Sequence, residues 1–421
     1  MIDNTAPKSR RPLVALLTAN AISLAGNQIT MIAIPWYVLA TGGSAADVGL
    51  VGFFTILPTI LAGFFGGGLV DRFGRKKISI LGDLASGATV ALIPLLHAAI
   101  GLSLWQLMVL VFFGALFDAP GSNARQSLMP DLIASSGISP ERANSAYQTV
   151  FRFAQLLGPI TAGLLIASLG ETNVLWINAA SFAISAAIVI RYVPRDRPAP
   201  RSDKHYFRDL VDGLSFIRAD RLLLSLAIFV AVMNFLDAAL FSVVFPVYIN
   251  DEYSSARILG LLFGTLGAGG VLGAILYGIW GERLPRRRTF IICFTLVSIT
   301  PLLLVSSPPI WLLASVLFIE GIAAGPINPI LMTVRQERVP DELRGRVFSS
   351  FGALAWIAMP LGILLGGFGA DWIGLHACFA IVGIAYLLGA ISMFWNRSLH
   401  AMDPEPVRNG TALLAESTAL K

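Results

Sequence analysis

Three carboxylates stand where a carboxylate is expensive. Asp118, Asp237 and Glu320 interrupt the apolar runs LWQLMVLVFFGALFD, LLLSLAIFVAVMNFLD and WLLASVLFIE. A charge near the middle of a bilayer costs at least about 2.5 kcal/mol, so acids kept there are default candidates for proton or substrate handling. Asn27, Gln28 and Asn234 add hydrogen-bonding groups, and Arg152 is a cation inside another run. Trp36, Phe235, Phe241 and Trp356 are aromatic side chains that could offer apolar contact beside these groups. Some of these residues also have plainer readings. Asp118 could clasp Arg72 or Arg75, Glu320 could bond a neighbouring helix, and Arg152 could snorkel to the membrane surface. Nothing forms a catalytic or metal-ligating set. His97, His205, His376 and His400 are scattered, no HExxH or GxxxxGK[ST] occurs, and Cys293 and Cys378 belong to no CxxC pair. No enzyme activity, cofactor, metal or ATP hydrolysis is expected.

These residues need a scaffold that crosses lipid. Of 421 residues, 56% are hydrophobic and only 13% charged, against about 25% charged in soluble domains. Apolar runs long enough to span a bilayer fall at 13–40, 48–70, 78–99, 104–124, 145–169, 173–193, 222–249, 258–281, 289–306, 310–333, 347–370 and 375–395, here spans 1 to 12. The first is too long for a signal-peptide core and is read as retained. With the N-terminus inside, every Lys and Arg except Arg152 and Arg257 falls in an inner loop or tail. That is the positive-inside pattern, and it puts both termini in the cytoplasm. The charge of +5 and pI near 9.4 then reflect topology, and no nucleic-acid partner is expected. Sequons at Asn396 and Asn409 fall on the inner side and are discounted.

The chain repeats itself. Shifted by 211 residues, Pro35 meets Pro246, Tyr37 meets Tyr248, and Asp71-Arg72-x-x-Arg75-Lys76-Lys77 meets Glu282-Arg283-x-x-Arg286-Arg287-Arg288. Shifted by 210, RQSLMPDL (125–132) meets RQERVPDE (335–342). An even number of spans per copy gives the copies one orientation, hence two parallel six-helix bundles with a site between them. The expected units are 1–193, a linker at 194–221, a second bundle at 222–396, and a tail at 397–421. Within the linker, Phe207, Leu210, Val211, Leu214 and Ile217 recur at the spacing of an interfacial amphipathic helix.

At this point the chain resembles the major facilitator superfamily. GGGLVDRFGRKK (66–77) looks like its loop 2–3 motif G-x-L-x-D-R-x-G-R-K, through Gly67, Asp71, Arg72, Gly74, Arg75 and Lys76. AQLLGPITAG (154–163) resembles the span 5 motif of drug–proton antiporters through Gly158, Pro159 and Gly163. RQSLMPDL, ERANSAYQ and VPDELRGRVFSS look like the branch of macrolide-efflux and enterobactin exporters. The resemblance implies an all-α polytopic fold of twelve helices, with helices 1, 4, 7 and 10 lining a central cavity. It also implies proton-driven export of an amphipathic small molecule, a drug or a siderophore, by a monomer in the bacterial inner membrane. The loop motif would then be a gate, with Asp71 near the start of span 11 at Arg346–Val347 and the basic residues on span 4 acids. One departure stands out: 104–117 lacks the arginine that many proton-coupled relatives carry near the head of span 4. A nutrient importer or lysophospholipid flippase on the same fold is the alternative.

Overall fold

The computed structural model describes residues 9–195 and 206–403, without the side chains of 63–69, 71, 206 and 207. Among these residues the chain is helical and has no strand. Lipid offers no partner to a backbone amide, so a chain this apolar satisfies its backbone within helices. Twelve helices are long and apolar enough to cross a membrane. Spans 1 to 6 occupy Arg11–Ala40, Ala45–Phe73, Arg75–Ile100, Leu104–Ser136, Pro140–Leu169 and Asn173–Tyr192. Spans 7 to 12 occupy Arg221–Tyr253, Ala256–Arg283, Arg286–Leu304, Ile310–Arg338, Asp341–Ile373 and Leu375–Trp395. Glycines at positive φ stop several of them: Gly74 (88°), Gly170 (86°) and Gly374 (85°). The side chain of an L-residue would be strained there.

Spans 4 and 5 depart from expectation. Segment 125–144, read as a loop, is helical except around Gly137, and it places Arg125 and Arg142 inside helices. An apolar run measures the bilayer crossing, whereas the hydrogen-bond ladder continues into water wherever the residues tolerate it. Pro159 sits within a continuous span 5. Pro360 instead opens the second piece of span 11, which breaks at Ala358.

The repeat is visible in packing. Spans 1·5, 2·4, 3·4 and 3·6 pair in the first half, and spans 7·11, 8·10, 9·10 and 9·12 in the second. Within span 7 the repeat offset steps from 210 to 211, and that step has a structural cause. Residues Leu240–Val244 of span 7 form a single π turn, and such a turn accommodates one extra residue in a helix. Before it Arg11, Leu13, Leu16 and Ala21 match Arg221, Leu223, Leu226 and Ala231 at 210; after it Pro35 and Tyr37 match at 211.

The halves meet along spans 2·11 and 5·8. Close approach is concentrated at the face away from the chain ends. A Cβ on Gly49 would stand 3.0 Å from Gly367 Cα, and one on Gly163 3.0 Å from Gly260 Cα. Gly49 and Gly260 are repeat equivalents, so the seam is built twice. Span 2 packs chiefly on the second piece of span 11, Met359–Ile373, while the first, Arg344–Ile357, packs on span 7 and on the linking helix Tyr206–Ala219. Ile217 of that helix is fully buried. Its Asp209 and Asp212 hold Arg346 at 2.7 and 3.3 Å. The expected linker residues 196–205 lie outside the described residues.

Candidate functional site

A cavity of about 390 Å³ opens between the halves, lined mainly by spans 1, 2 and 4 and closed from the second half by Phe241, Pro246 and Phe263. Its walls are mostly aliphatic and aromatic, with Asn27, Gln28, Asp118 and Asn178 and the hydroxyls of Thr55, Thr59 and Ser242 among the polar groups. Asn27 Nδ2 donates to Asp118 Oδ2 at 3.0 Å. The other oxygen, Oδ1, accepts no hydrogen bond from the described residues and lies 4.0 Å from Arg125 Nη2. Gln28 Nε2 reaches the Ala154 carbonyl at 3.4 Å.

Behind this carboxylate lies a pair that the sequence reading missed. Arg125, 2% exposed, donates to the fully buried Asp83 of span 3 and to Ser23 Oγ at 3.2 Å. Ser185 Oγ donates to the other Asp83 oxygen at 2.7 Å. Spans 1, 3, 4 and 6 thus converge on one buried ion pair. With both acids ionised, two carboxylates share one guanidinium, so Asp118 carries charge that Arg125 does not fully neutralise. The same rule that singled out Asp118 could have found Asp83, the acid within span 3. Arg125 was hidden because the apolar run stops one residue before it. Asp118 pairs with neither Arg72 nor Arg75, contrary to its plainer reading: Arg75 binds Asp131 at 2.7 Å and the Ser127 carbonyl.

The other expected residues divide. Asp237 accepts from Tyr386 Oη of span 12, and Glu320 is 3% exposed inside the same bundle. Neither lines the cavity. Asn234 Nδ2 donates to the Ala355 carbonyl at 2.8 Å, tying span 7 to span 11. Asp237 is nonetheless the repeat equivalent of Asn27 at offset 210, so one position serves the cavity in one half and the bundle interior in the other. Of the four aromatic residues, Phe241 alone lines the cavity. Trp36 is buried in the core, Trp356 is 53% exposed, and the Phe235 backbone packs on Gly362. A step of one residue turns a helical side chain by about 100°, which separates Trp36 from the lining Pro35. Arg152 is exposed on span 5, outside the lining.

In the loop motif, Gly74 terminates span 2, and Arg72 lies over the Phe73 ring. Lys76 Nζ donates to the Ile190 carbonyl at 3.1 Å. The second copy repeats the plan: Arg286 takes Glu337 through two hydrogen bonds of 2.6 and 2.9 Å, and Arg287 Nη2 donates to the Phe394 carbonyl at 2.9 Å. Gly67 and Asp71 are helical, but their surroundings lie outside the described residues. In the span 5 motif, Gly158 faces Gln28, and Gly163 and Pro159 face Gly260 of span 8.

Comparison with known proteins agrees with this architecture. A multidrug efflux pump, Tap, of Mycolicibacterium fortuitum is 35% identical over 92% of this chain and 96% of its own. Macrolide efflux protein A of Streptococcus pyogenes is 25% identical over 88% and 92%. The crystal structure of nucleoside transporter NupG superimposes with a TM-score of 0.72 over 91% and 98% of the two chains, at 12% identity. The sequence model of the Major Facilitator Superfamily matches residues 16–236 and 227–421. With both halves matched and the paired helices packed as a repeat, the chain belongs to the Major Facilitator Superfamily.

Proposed function

We propose that the protein exports amphipathic small molecules, drugs among them, across the bacterial inner membrane in exchange for protons, by alternating access. It is a transporter rather than an enzyme. Export and the drug class are supported by relatives named as efflux pumps that match nearly the whole chain. Proton exchange is supported by one observation above all: Asp118, a quarter exposed, is the one acid among the described residues lining the cavity between the halves, held there by Asn27 and 4.0 Å from Arg125. Such a carboxylate holds a proton or the cationic group of a solute, and one occupant displaces the other. Asp237 and Glu320, set inside the second bundle, are a second place for a proton to rest. The basic turns around Arg72–Lys77 and Arg283–Arg288 support a cytoplasmic face for the chain ends. The state seen here is then closed toward the outside.

The test is accumulation of macrolides, tetracyclines, cationic dyes and catecholate siderophores in cells lacking their own pumps. Lowered accumulation of at least one compound is expected. A protonophore should abolish it, and Asp118→Asn should reduce export about tenfold or more, a change of 1.4 kcal/mol. Asp237→Asn, run beside it, reads out the second acid. Unchanged accumulation of every compound, with the protein present in the membrane, would move the reading to import or lipid transfer.

A further inference from the structure

Span 2 begins with more help than its own residues give. Ser44 Oγ accepts from the Asp47 amide at 3.3 Å and Asp47 Oδ2 accepts from the Ser44 amide at 2.9 Å, a reciprocal capping box. That leaves the Ala45 and Ala46 amides. Both are taken by one side chain of the other half: Asp371 Oδ1 accepts from Ala45 N at 3.1 Å and Asp371 Oδ2 from Ala46 N at 3.0 Å. A carboxylate across a helix N-terminus meets free donors and the positive end of the helix dipole. The contact crowns the seam in which Gly367 lies against the Ala45 carbonyl and Gly49. Asp371 and Ala46 are not buried, so water replaces either partner when they part. The contact is strong enough to hold and open enough to release.

Spans 2 and 11 run antiparallel, and they end alike. Span 2 closes with Asp71-Arg72-Phe73-Gly74 and span 11 with Asp371-Trp372-Ile373-Gly374, each glycine at positive φ (88° and 85°). Each helix therefore carries an aspartate near its last turn, and in an antiparallel pair that is the end at which the other helix begins. We propose that Asp371 is the outer latch of the transport cycle, engaged on the span 2 N-terminus in the state seen here and released when the inner end of the same helix pair closes. A helix pair that rocks about a shared middle cannot close both ends at once, so the two aspartates act in alternation. In this state Asp209 and Asp212 of the linking helix hold Arg346 at the start of span 11. The inference rests on alternating access and on no particular solute.

The experiment measures spin-label distances in nanodiscs, in a Cys293→Ser, Cys378→Ser background. One label pair, at Thr41 and His376, spans the outer face; another, at Gln126 and Gln336, spans the inner face. Asp371→Ala is expected to raise the outer-open population roughly threefold or more and to shorten the inner distance. Asp371→Asn, which keeps one acceptor oxygen, should fall between it and the native protein and guards against misfolding of the alanine variant. If added tetraphenylphosphonium shifts the distances while both Asp371 variants leave them as in the native protein, the latch is wrong and alternating access stands. Distances fixed under every condition and in every variant would overturn alternating access itself, and the latch with it.

Discussion

At the scale of residues, the Asp83–Arg125 pair sets the terms for Asp118. A buried ion pair adds little net stability, but removing one partner strands a charge and costs about 3–5 kcal/mol. Arg125→Ala is therefore expected to lower folded yield and thermal stability in detergent sharply. The double change Asp83→Leu with Arg125→Met should recover much of that stability without restoring export, because Asp118 then loses its nearby cation. Recovery of export together with stability would show that the pair is only a structural clasp. Asp118 was legible in the sequence because an acid in an apolar run is conspicuous. Its partners were not, since pairing across spans 1, 3, 4 and 6 is fixed by packing and leaves no pattern along the chain.

At the scale of elements, helix ends and helix seams do most of the positioning. Asp220 caps span 7 through the Leu222 and Leu223 amides at 2.8 and 3.1 Å and takes Arg338 Nε at 2.8 Å. Burial pushes its carboxyl up, but the bond from Arg338, the two amides and the nearby charge outweigh it, and the carboxyl titrates below its ordinary range. A depressed folded pKa gives stability that is present above the unfolded value of about 3.9 and fades as pH falls through the lower folded value. Asp220→Ala should therefore cost about 1 kcal/mol near neutral pH, with the gap from the native protein closing below about pH 4 in thermal unfolding curves. In the seam, Gly163→Val would push side-chain atoms onto the Ala256 carbonyl and Gly260, which a Cβ alone approaches to 2.6 and 3.0 Å. Overpacking of this kind costs roughly 1–3 kcal/mol. It should fall on the outward-closed state and suppress export while membrane insertion stays normal. The span 5 motif was readable as a string, but only the fold shows that its small residues face span 8.

At the scale of the molecule, transport turns on which ends of the bundle can touch. Asp71→Asn is expected to reduce export about tenfold, equivalent to 1.4 kcal/mol, with unchanged membrane insertion. Unaltered export would count against an inner gate. The sequence by itself determined the all-helical class, the twelve crossings, the twofold repeat and the family, because bilayer thickness and the charge of inner loops act on residue type along the chain. Only the tertiary structure decided that Asp118 faces the cavity while Asp237 and Glu320 turn inward, that Phe241 rather than Trp36 or Trp356 lines the wall, and that Asp371 caps span 2. In a chain so apolar, almost any helix face can be buried, so periodicity does not choose among faces. Helix packing chooses, through glycine seams and a π turn that rotates the later residues of span 7 relative to the earlier ones.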